Sequence, residues 1–374
     1  MAEVEIGSGK SARRGYALDE ISIVPSRRTR DPEDVDISWR LDAFDFALPV
    51  IAAPADSVVS PTTAAAFDRL GALATLNLEG LWTRYEDPAA YLEEIAGLRG
   101  PGVTKRIQEI YQEPIKAELV TQRIRDIAAS GAVTCGAVTP QHASELAPAL
   151  MAGELNVLVI MGTAVSAEHV SKGGEPLNLK SFIRELDIPV VVGSCASFQA
   201  ALHLMRTGAV GILVGVGEGV SSATRSVLGV GAPQATALAD AAGARSQHLE
   251  ETGVYVQVIS QGGIVRGGDI AKAMACGADA VMIGAPLARA FESPGFGVHF
   301  GPDASNQSVP RGLPVAVDRH ASLEEILCGP GHFADGSTNL TGALRTAMAM
   351  CGYANIREFH KAEVVLGARS GQSR

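Results

Sequence analysis

Cysteine is scarce in this sequence, and its spacing excludes even more than its number. The five residues, Cys135, Cys195, Cys276, Cys328 and Cys351, are odd in count and far apart, with no C-x-x-C pair. That pattern fits reduced thiols in a cytoplasmic protein and argues against a disulfide framework or a zinc site. No apolar run approaches the length of a membrane helix. The N-terminus shows no apolar segment of signal-peptide type, so no membrane partner is expected. An excess of positive charge is missing too. Lys and Arg number 31 against 41 Asp and Glu, a net charge of -10, which disfavours nonspecific binding to nucleic acid or anionic lipid. The basic patch Arg27-Arg28-Thr29-Arg30 lies beside Asp31, Glu33, Asp34 and Asp36 and reads as a solvated face or an interface. Ile6–Ser11 imitates a phosphate loop, but the glycine that such a loop needs five residues before Gly9 is Val4. What is present is an ordinary globular composition, 47% hydrophobic and 19% charged over 374 residues. That is enough for one large domain.

Eight short apolar runs recur: Ala47–Ala53, Ala72–Leu76, Ala132–Val138, Leu155–Met161, Ile188–Ser194, Val210–Val214, Val254–Ile259 and Asp279–Gly284. Buried parallel strands read this way, without the alternation of a half-exposed sheet. Helical patterns such as Phe198–Thr207 and Gly268–Cys276 lie between most of them, and Gly-Ala pairs precede several as C-caps. The expected fold is a TIM (β/α)8 barrel. A doubly wound open sheet is the alternative, but no strand carries G-x-G-x-x-G at its helix junction. Residues 1–46 form an N-terminal arm, and 47–374 hold the barrel. Within the latter, the Pro/Gly-rich stretch 292–335 is expected to be a mobile flap over the barrel mouth, before a C-terminal helix. Barrel chemistry sits on the loops after the strands, with phosphate after strands seven and eight. Those loops are Gln261-Gly262-Gly263 and Gly284-Ala285-Pro286. Their glycines either expose amides for a phosphate or simply permit tight turns.

The stretch after the sixth run, GVGEGVSSATRSVLGVGAPQATA over 215–237, opens with Gly215, Gly217 and Gly219 at alternate positions. It resembles the catalytic loop of the IMP dehydrogenase/GMP reductase family, G-x-G-x-x-C-x-T continuing to G-x-P-Q-x-T-A. Thr224, Gly231 and Pro233–Ala237 match, and the family's cysteine nucleophile falls on Ser222. Tyr16–Ser26 resembles the family's N-terminal segment. Ile259–Ile264 resembles its seventh-strand A-D-G-G-I, and Gly277–Gly284 its eighth-strand motif. Within Leu48–Asp56, Ala53-Pro54-Ala55-Asp56 falls where a Ser-Pro-Met-Asp touches the base, which makes Ala53 and Ala55 expected base contacts. The likeness is greatest to the bacterial IMP-dehydrogenase-related branch, through ARRGYALDEISIVPSRRT and VPRGLP. Between strands two and three, Glu79–Thr121 is too short for the CBS pair of typical IMP dehydrogenases.

The resemblance implies hydride transfer between C2 of a purine nucleotide and NADH or NADPH, in a homotetramer. The flap reads Val309-Pro310-Arg311-Gly312, without the Arg-Tyr pair of the hydrolysing dehydrogenases, which favours reduction as in GMP reductase. Thr224 matches the threonine of the reductases' Thr-Glu pair, whereas Arg311 stands near the glutamate's place. Glu218 is the carboxylate nearest Ser222 in sequence, and Asn77 at the end of strand two is a further pocket candidate. Gln261 replaces an aspartate that holds the ribose, and Ser194 replaces an asparagine near base and ribose. Val220 and Ala285 replace phosphate-binding serines, which leaves Gly262, Gly263 and Gly284 to cradle the phosphate. Met161 takes the place of an aspartate at the nicotinamide ribose, with Gly162 and Thr163 as the adjoining cofactor contacts. Carbonyls of Gly217, Gly219 and Ser222 are the implied ligands of a potassium ion.

A serine hydroxyl needs an adjacent base where a thiol does not. Three accounts of Ser222 stand open: an engineered Cys→Ser change, a natural serine in a ligand-sensing member without catalysis, and direct hydride chemistry with no covalent step. The sequence therefore supports a purine-nucleotide or nucleotide-analogue oxidoreductase, with a noncatalytic nucleotide sensor or an IMP dehydrogenase-like oxidation as alternatives.

Overall fold

Eight parallel strands close into a barrel in the structure, a computed structural model that describes residues 3–169 and 176–367. The outermost residues of the expected arm and barrel, 1–2 and 368–374, fall outside the described residues. The strands are Val50–Ala52, a second strand in two pieces, Cys135–Val138, Val157–Met161, Val190–Cys195, Gly211–Val214, Gln257–Gln261 and Ala280–Ile283. The second strand breaks at Thr75, between Leu73–Ala74 and Leu76–Asn77. Its first piece pairs with the first strand and its second piece with the third, so the ring closes through the break. The seventh strand starts and ends later than its apolar run suggests, and beyond that run Ser260 and Gln261 carry the ladder by pairing with Val214 and Met282.

Side chains alternate between two apolar layers. Val157, Val159, Val191, Leu213 and Ile259 point into the barrel, while Leu158, Ile160, Val190, Val192 and Val258 pack against the helices outside. Both faces are buried, which explains the unbroken valine and isoleucine runs. The barrel floor is filled by part of the N-terminal segment. A hairpin of Trp39–Leu41 and Phe44–Phe46 inserts Trp39, Leu41 and Phe46 into the inner layer, with the Trp39 and Phe46 rings stacked at 5.3 Å. Ile21–Ile23 pairs instead with Val364–Leu366 near the C-terminus. The Ile6–Ser11 segment is the turn of an exposed hairpin, Glu3–Gly7 with Lys10–Arg13.

Two excursions build the mouth of the barrel. After the second strand come the helices Ala89–Gly97 and Val103–Ile110. They share a small apolar cluster with Val298, Phe300 and Ala304 of the flap. The flap itself has short paired strands, Val298–His299 with Val315–Ala316, and a helix at Leu323–Leu327. It leads into the helix Leu340–Met350, which packs on Gly267–Ala275. Gly267 is required at that crossing, since a Cβ there would lie 2.4 Å from Ala343.

Candidate active site

All eight strands deliver residues to one cavity of about 570 Å³ at their C-terminal ends. Ala53 and Ala55 follow the first strand, and Asn77 ends the second. Met161, Gly162 and Thr163 come from the fourth, and Ser194 from the fifth. The loop after the sixth contributes Gly217, Glu218, Gly219, Val220, Ser222 and Thr224. Gln261, Gly262 and Gly263 come from the seventh, and Gly284 and Ala285 from the eighth. The structure thus brings together every candidate residue named from the sequence.

The Ser222 loop is held from below and from above. Below, Gly215 adopts φ 142°, and a Cβ there would sit 2.0 Å from the Gln261 carbonyl oxygen, so only glycine fits. Gln234 locks the same junction, its amide donating to the Val214 carbonyl at 2.7 Å and to Ser260 Oγ at 3.0 Å. Above, the flap runs antiparallel to the loop, with Ser222 opposite Gly312. The Ala223 amide donates to the Arg311 carbonyl at 2.6 Å, and the Leu313 amide to the Ser221 carbonyl at 2.7 Å.

Ser222 Oγ donates to Thr224 Oγ1 at 3.1 Å and accepts from the Thr224 amide at 3.3 Å. Among the described residues no base joins this pair. Glu218, the candidate carboxylate, is ion-paired with Arg225 instead. Burial raises the Glu218 carboxyl above its usual range, and Arg225 pulls it back. No thiol substitutes for the missing one either, since none of the five cysteines lines the cavity. Cys195, next to Ser194, faces the core, and burial pushes its thiol up to about 12. The Gly219 carbonyl accepts the Ser222 amide at 2.9 Å, so one of the three carbonyls expected around potassium already carries a hydrogen bond. Among the described residues no group of three His, Cys, Asp or Glu side chains is placed to hold a metal ion.

The substitutions around the pocket are partners. Ser194 Oγ donates to Gln261 Oε1 at 2.7 Å, and among the described residues the Gln261 amide nitrogen has no hydrogen-bond partner. A carboxylate would present acceptors there, whereas this pair presents a donor. The phosphate cradle is narrower than the glycines suggest. The Gly263 amide donates to the Glu218 carbonyl at 2.9 Å, because the loop after the sixth strand folds over it. Among the described residues the amides of Gly284 and Ala285 donate to no backbone carbonyl outside the strand ladders.

Asn77 is oriented rather than free. Its side-chain amide donates to Asp56 Oδ2 at 3.4 Å, and its oxygen accepts the Glu79 amide at 3.1 Å. Asp56 is fully enclosed and also accepts Tyr111 Oη at 2.5 Å. Burial raises its carboxyl to about 6, against the pull of these hydrogen bonds. An acid whose folded pKa is raised contributes stability below its unfolded pKa, near 3.8, and loses it as pH climbs through about 6. The stability of the native chain relative to Asp56→Asn should therefore fall by on the order of 2–3 kcal/mol between pH 4 and 7. Urea unfolding of both at each pH measures this; a difference independent of pH would refute it.

Several wall residues had no local signature in the sequence. Tyr111 and Arg84 reach the cavity from the first excursion. Glu79 lines it with its carboxylate accepting the Thr139 amide and facing His142 Nδ1 at 2.9 Å. On the flap, Arg311 donates to Asp303 Oδ1 and to Thr163 Oγ1, both at 2.8 Å. The flap thus does bring a carboxylate to the cavity, eight positions before Arg311.

Comparison with known proteins agrees with this architecture. Residues 15–312 match the sequence profile of the IMP dehydrogenase / GMP reductase domain. The chain is 47% identical over 375 residues to an "uncharacterized oxidoreductase" of Mycolicibacterium smegmatis, covering 98% of this chain and all of that one. It is 26% identical over 488 residues to the inosine-5'-monophosphate dehydrogenase of Methanocaldococcus jannaschii, covering 96% and 94%. That alignment is longer than the present chain, so the dehydrogenase carries insertions that are missing here. Among solved structures, the IMP dehydrogenase/GMP reductase-like protein of Corynebacterium glutamicum superposes with a TM-score of 0.93 at 42% identity, covering 98% of both chains.

Proposed function

The chain belongs to the IMP dehydrogenase/GMP reductase family of oxidoreductases, and within it we propose that it is a purine-nucleotide reductase of GMP reductase type. The substrate class is a purine nucleotide, or an analogue, with an amino group at C2. In the reaction C2 gains a hydride, the C2–N bond breaks and ammonia leaves. The observation that carries this reading is the joined loop and flap. They place Ser222, Thr224, Asp303 and Arg311 around one space, where the hydrogen bonds of 221–223 to 311–313 join loop to flap.

The residues present fit a nicotinamide. Met161 offers a half-buried apolar face, and the Cα of Gly162 is open, with nothing nearer than 3.6 Å to a built Cβ. NADH or NADPH, held there with Thr163, would supply the hydride. Ser222 would stand under C2. Thr224, which already accepts the Ser222 hydroxyl, keeps its own O–H to donate towards the departing amine. Asp303, held by Arg311 on the cavity wall, would serve that amine in place of the family's glutamate. The Gln261 amide would donate to the sugar.

A second reading keeps the pocket and drops the turnover, and the lack of both thiol and base at Ser222 favours it over dehydrogenase chemistry. The deciding measurement is calorimetry of the chain as written and of Ser222→Cys with GMP and with IMP. Binding of a purine monophosphate by either form is the expected result. Absence of binding by both would overturn the assignment.

A further inference from the structure

Of the charged side chains on the cavity wall, one stands without a partner of opposite sign. Glu218 pairs with Arg225, Asp303 with Arg311, and Glu79 faces His142. Arg84 makes no ion pair among the described residues. It follows the turn Leu81–Thr83, in the segment between the second and third strands, and is half-buried. Its Nε donates to the Glu79 carbonyl at 3.0 Å, and its Nη1 donates to the Glu113 carbonyl. The guanidinium also lies over the Tyr111 ring, 5.7 Å from the ring centre. These contacts fix the plane of the group. They leave Nη2 without a hydrogen-bond partner among the described residues.

The two carboxylates close enough to act on Arg84 are turned to other groups. Asp56 accepts Tyr111 Oη and the Asn77 amide, and Glu79 accepts the Thr139 amide and faces His142. Burial lowers the guanidinium from its ordinary value, and Tyr111, Asp56 and Glu79 offset that only in part. Arginine keeps its charge all the same. A half-buried charge without a counterion costs free energy, which an arriving anion would offset.

The proposed reaction brings two anionic groups into the cavity. The purine monophosphate belongs to the glycines after the seventh and eighth strands. Arg84 stands beside the second and third strands, tied through Glu79 to the Thr139 amide. The neighbouring fourth strand ends at Met161, where the nicotinamide would lie. What remains for Arg84 is the pyrophosphate of the dinucleotide. We propose that Arg84 Nη2 donates to that pyrophosphate, making Arg84 a specificity-determining residue for a dinucleotide over a nicotinamide nucleoside. This rests on the nicotinamide reading of the cavity. NADH and NADPH both carry the group, so Arg84 would hold either.

The test titrates the native chain, Arg84→Met and Arg84→Lys with NADH and with reduced nicotinamide riboside, followed by nicotinamide fluorescence, and with GMP by calorimetry. The methionine variant should weaken NADH by roughly 10- to 100-fold, the worth of a hydrogen bond to a charged group, and leave the riboside and GMP unchanged. Lysine keeps the charge but gives up the bonds to the Glu79 and Glu113 carbonyls, so it should recover part of the loss. Equal losses for NADH and the riboside, a loss confined to GMP, or no loss for NADH would overturn the proposal. So would a lysine variant no better than methionine, since the carbonyl bonds alone would then explain the loss. If the native chain binds the riboside as tightly as NADH, the proposal falls while the nicotinamide reading stands. Binding of neither removes that reading and the proposal with it.

Discussion

Ser222→Cys is expected to raise the rate of hydride transfer to a C2-aminopurine nucleotide by on the order of 10²–10⁴-fold, the usual worth of the general base that the serine lacks. The reason lies in what surrounds Oγ. Among the described residues its one side-chain partner is Thr224 Oγ1 at 3.1 Å, which is no base, and the nearest carboxylate in sequence, Glu218, is ion-paired with Arg225. A thiol at the same position supplies a few percent of thiolate at neutral pH without help. Thr224 and its amide would then hydrogen-bond the sulfur as they now do the oxygen. Absorbance of NADPH and NADH during incubation with GMP follows turnover, and intact mass detects an adduct on residue 222. Turnover confined to the cysteine form would mark the scaffold as a reductase whose serine holds substrate. Equal turnover by both forms would point to direct hydride delivery. No turnover by either, with nucleotide still bound, would favour the sensing role and locate the change of function at Gln261 and Ser194.

How far the site could be read from the sequence follows from where its contacts come from. The strands were legible because residues such as Val190-Val191-Val192 are buried on both faces, one set in the barrel and one under the helices. The loops at their ends were legible because glycine is forced there, as at Gly215, where another strand's carbonyl occupies the space of a side chain. What was missed comes from single residues delivered by distant segments. Tyr111, Arg84 and His299 belong to no motif, and only the tertiary arrangement of the first excursion and the flap brings them to the cavity. The partner of Glu218 was hidden for the same reason: nothing local shows that Arg225, seven residues on, folds back to pair with it. The Ser194 and Gln261 substitutions looked independent along the chain, 67 positions apart, yet they meet in one hydrogen bond. Neutral Gln261 is therefore built into the pocket by Ser194, and the ligand must bring an acceptor to it.

Asp279→Ala should destabilise the fold by about 3–5 kcal/mol, the cost of breaking a buried ion pair, while leaving nucleotide affinity unchanged. Asp279 stands at the start of the eighth strand, at the end of the barrel opposite the cavity, where side chains serve stability rather than chemistry. Its Oδ2 accepts Arg245 Nη1 at 2.7 Å and the Val258 amide at 2.8 Å, and its Oδ1 accepts Tyr255 Oη at 2.6 Å. The pair is enclosed, the Arg245 and Asp279 side chains being 8% and 6% exposed. Arg245 belongs to the helix Gln234–Thr252, whose first residue locks the sixth and seventh strands beneath the Ser222 loop. One buried carboxylate thus ties that helix to the seventh and eighth strands. Alanine would leave a guanidinium, an amide and a phenol to lose their common acceptor. Because much of that cost is the orphaned charge, adding Arg245→Met should recover part of it, giving a double variant more stable than Asp279→Ala alone. Urea unfolding of the four chains in this cycle measures the coupling. A coupling below about 1 kcal/mol would place the pair with ordinary surface ion pairs, and the helix would then be held by its apolar face alone.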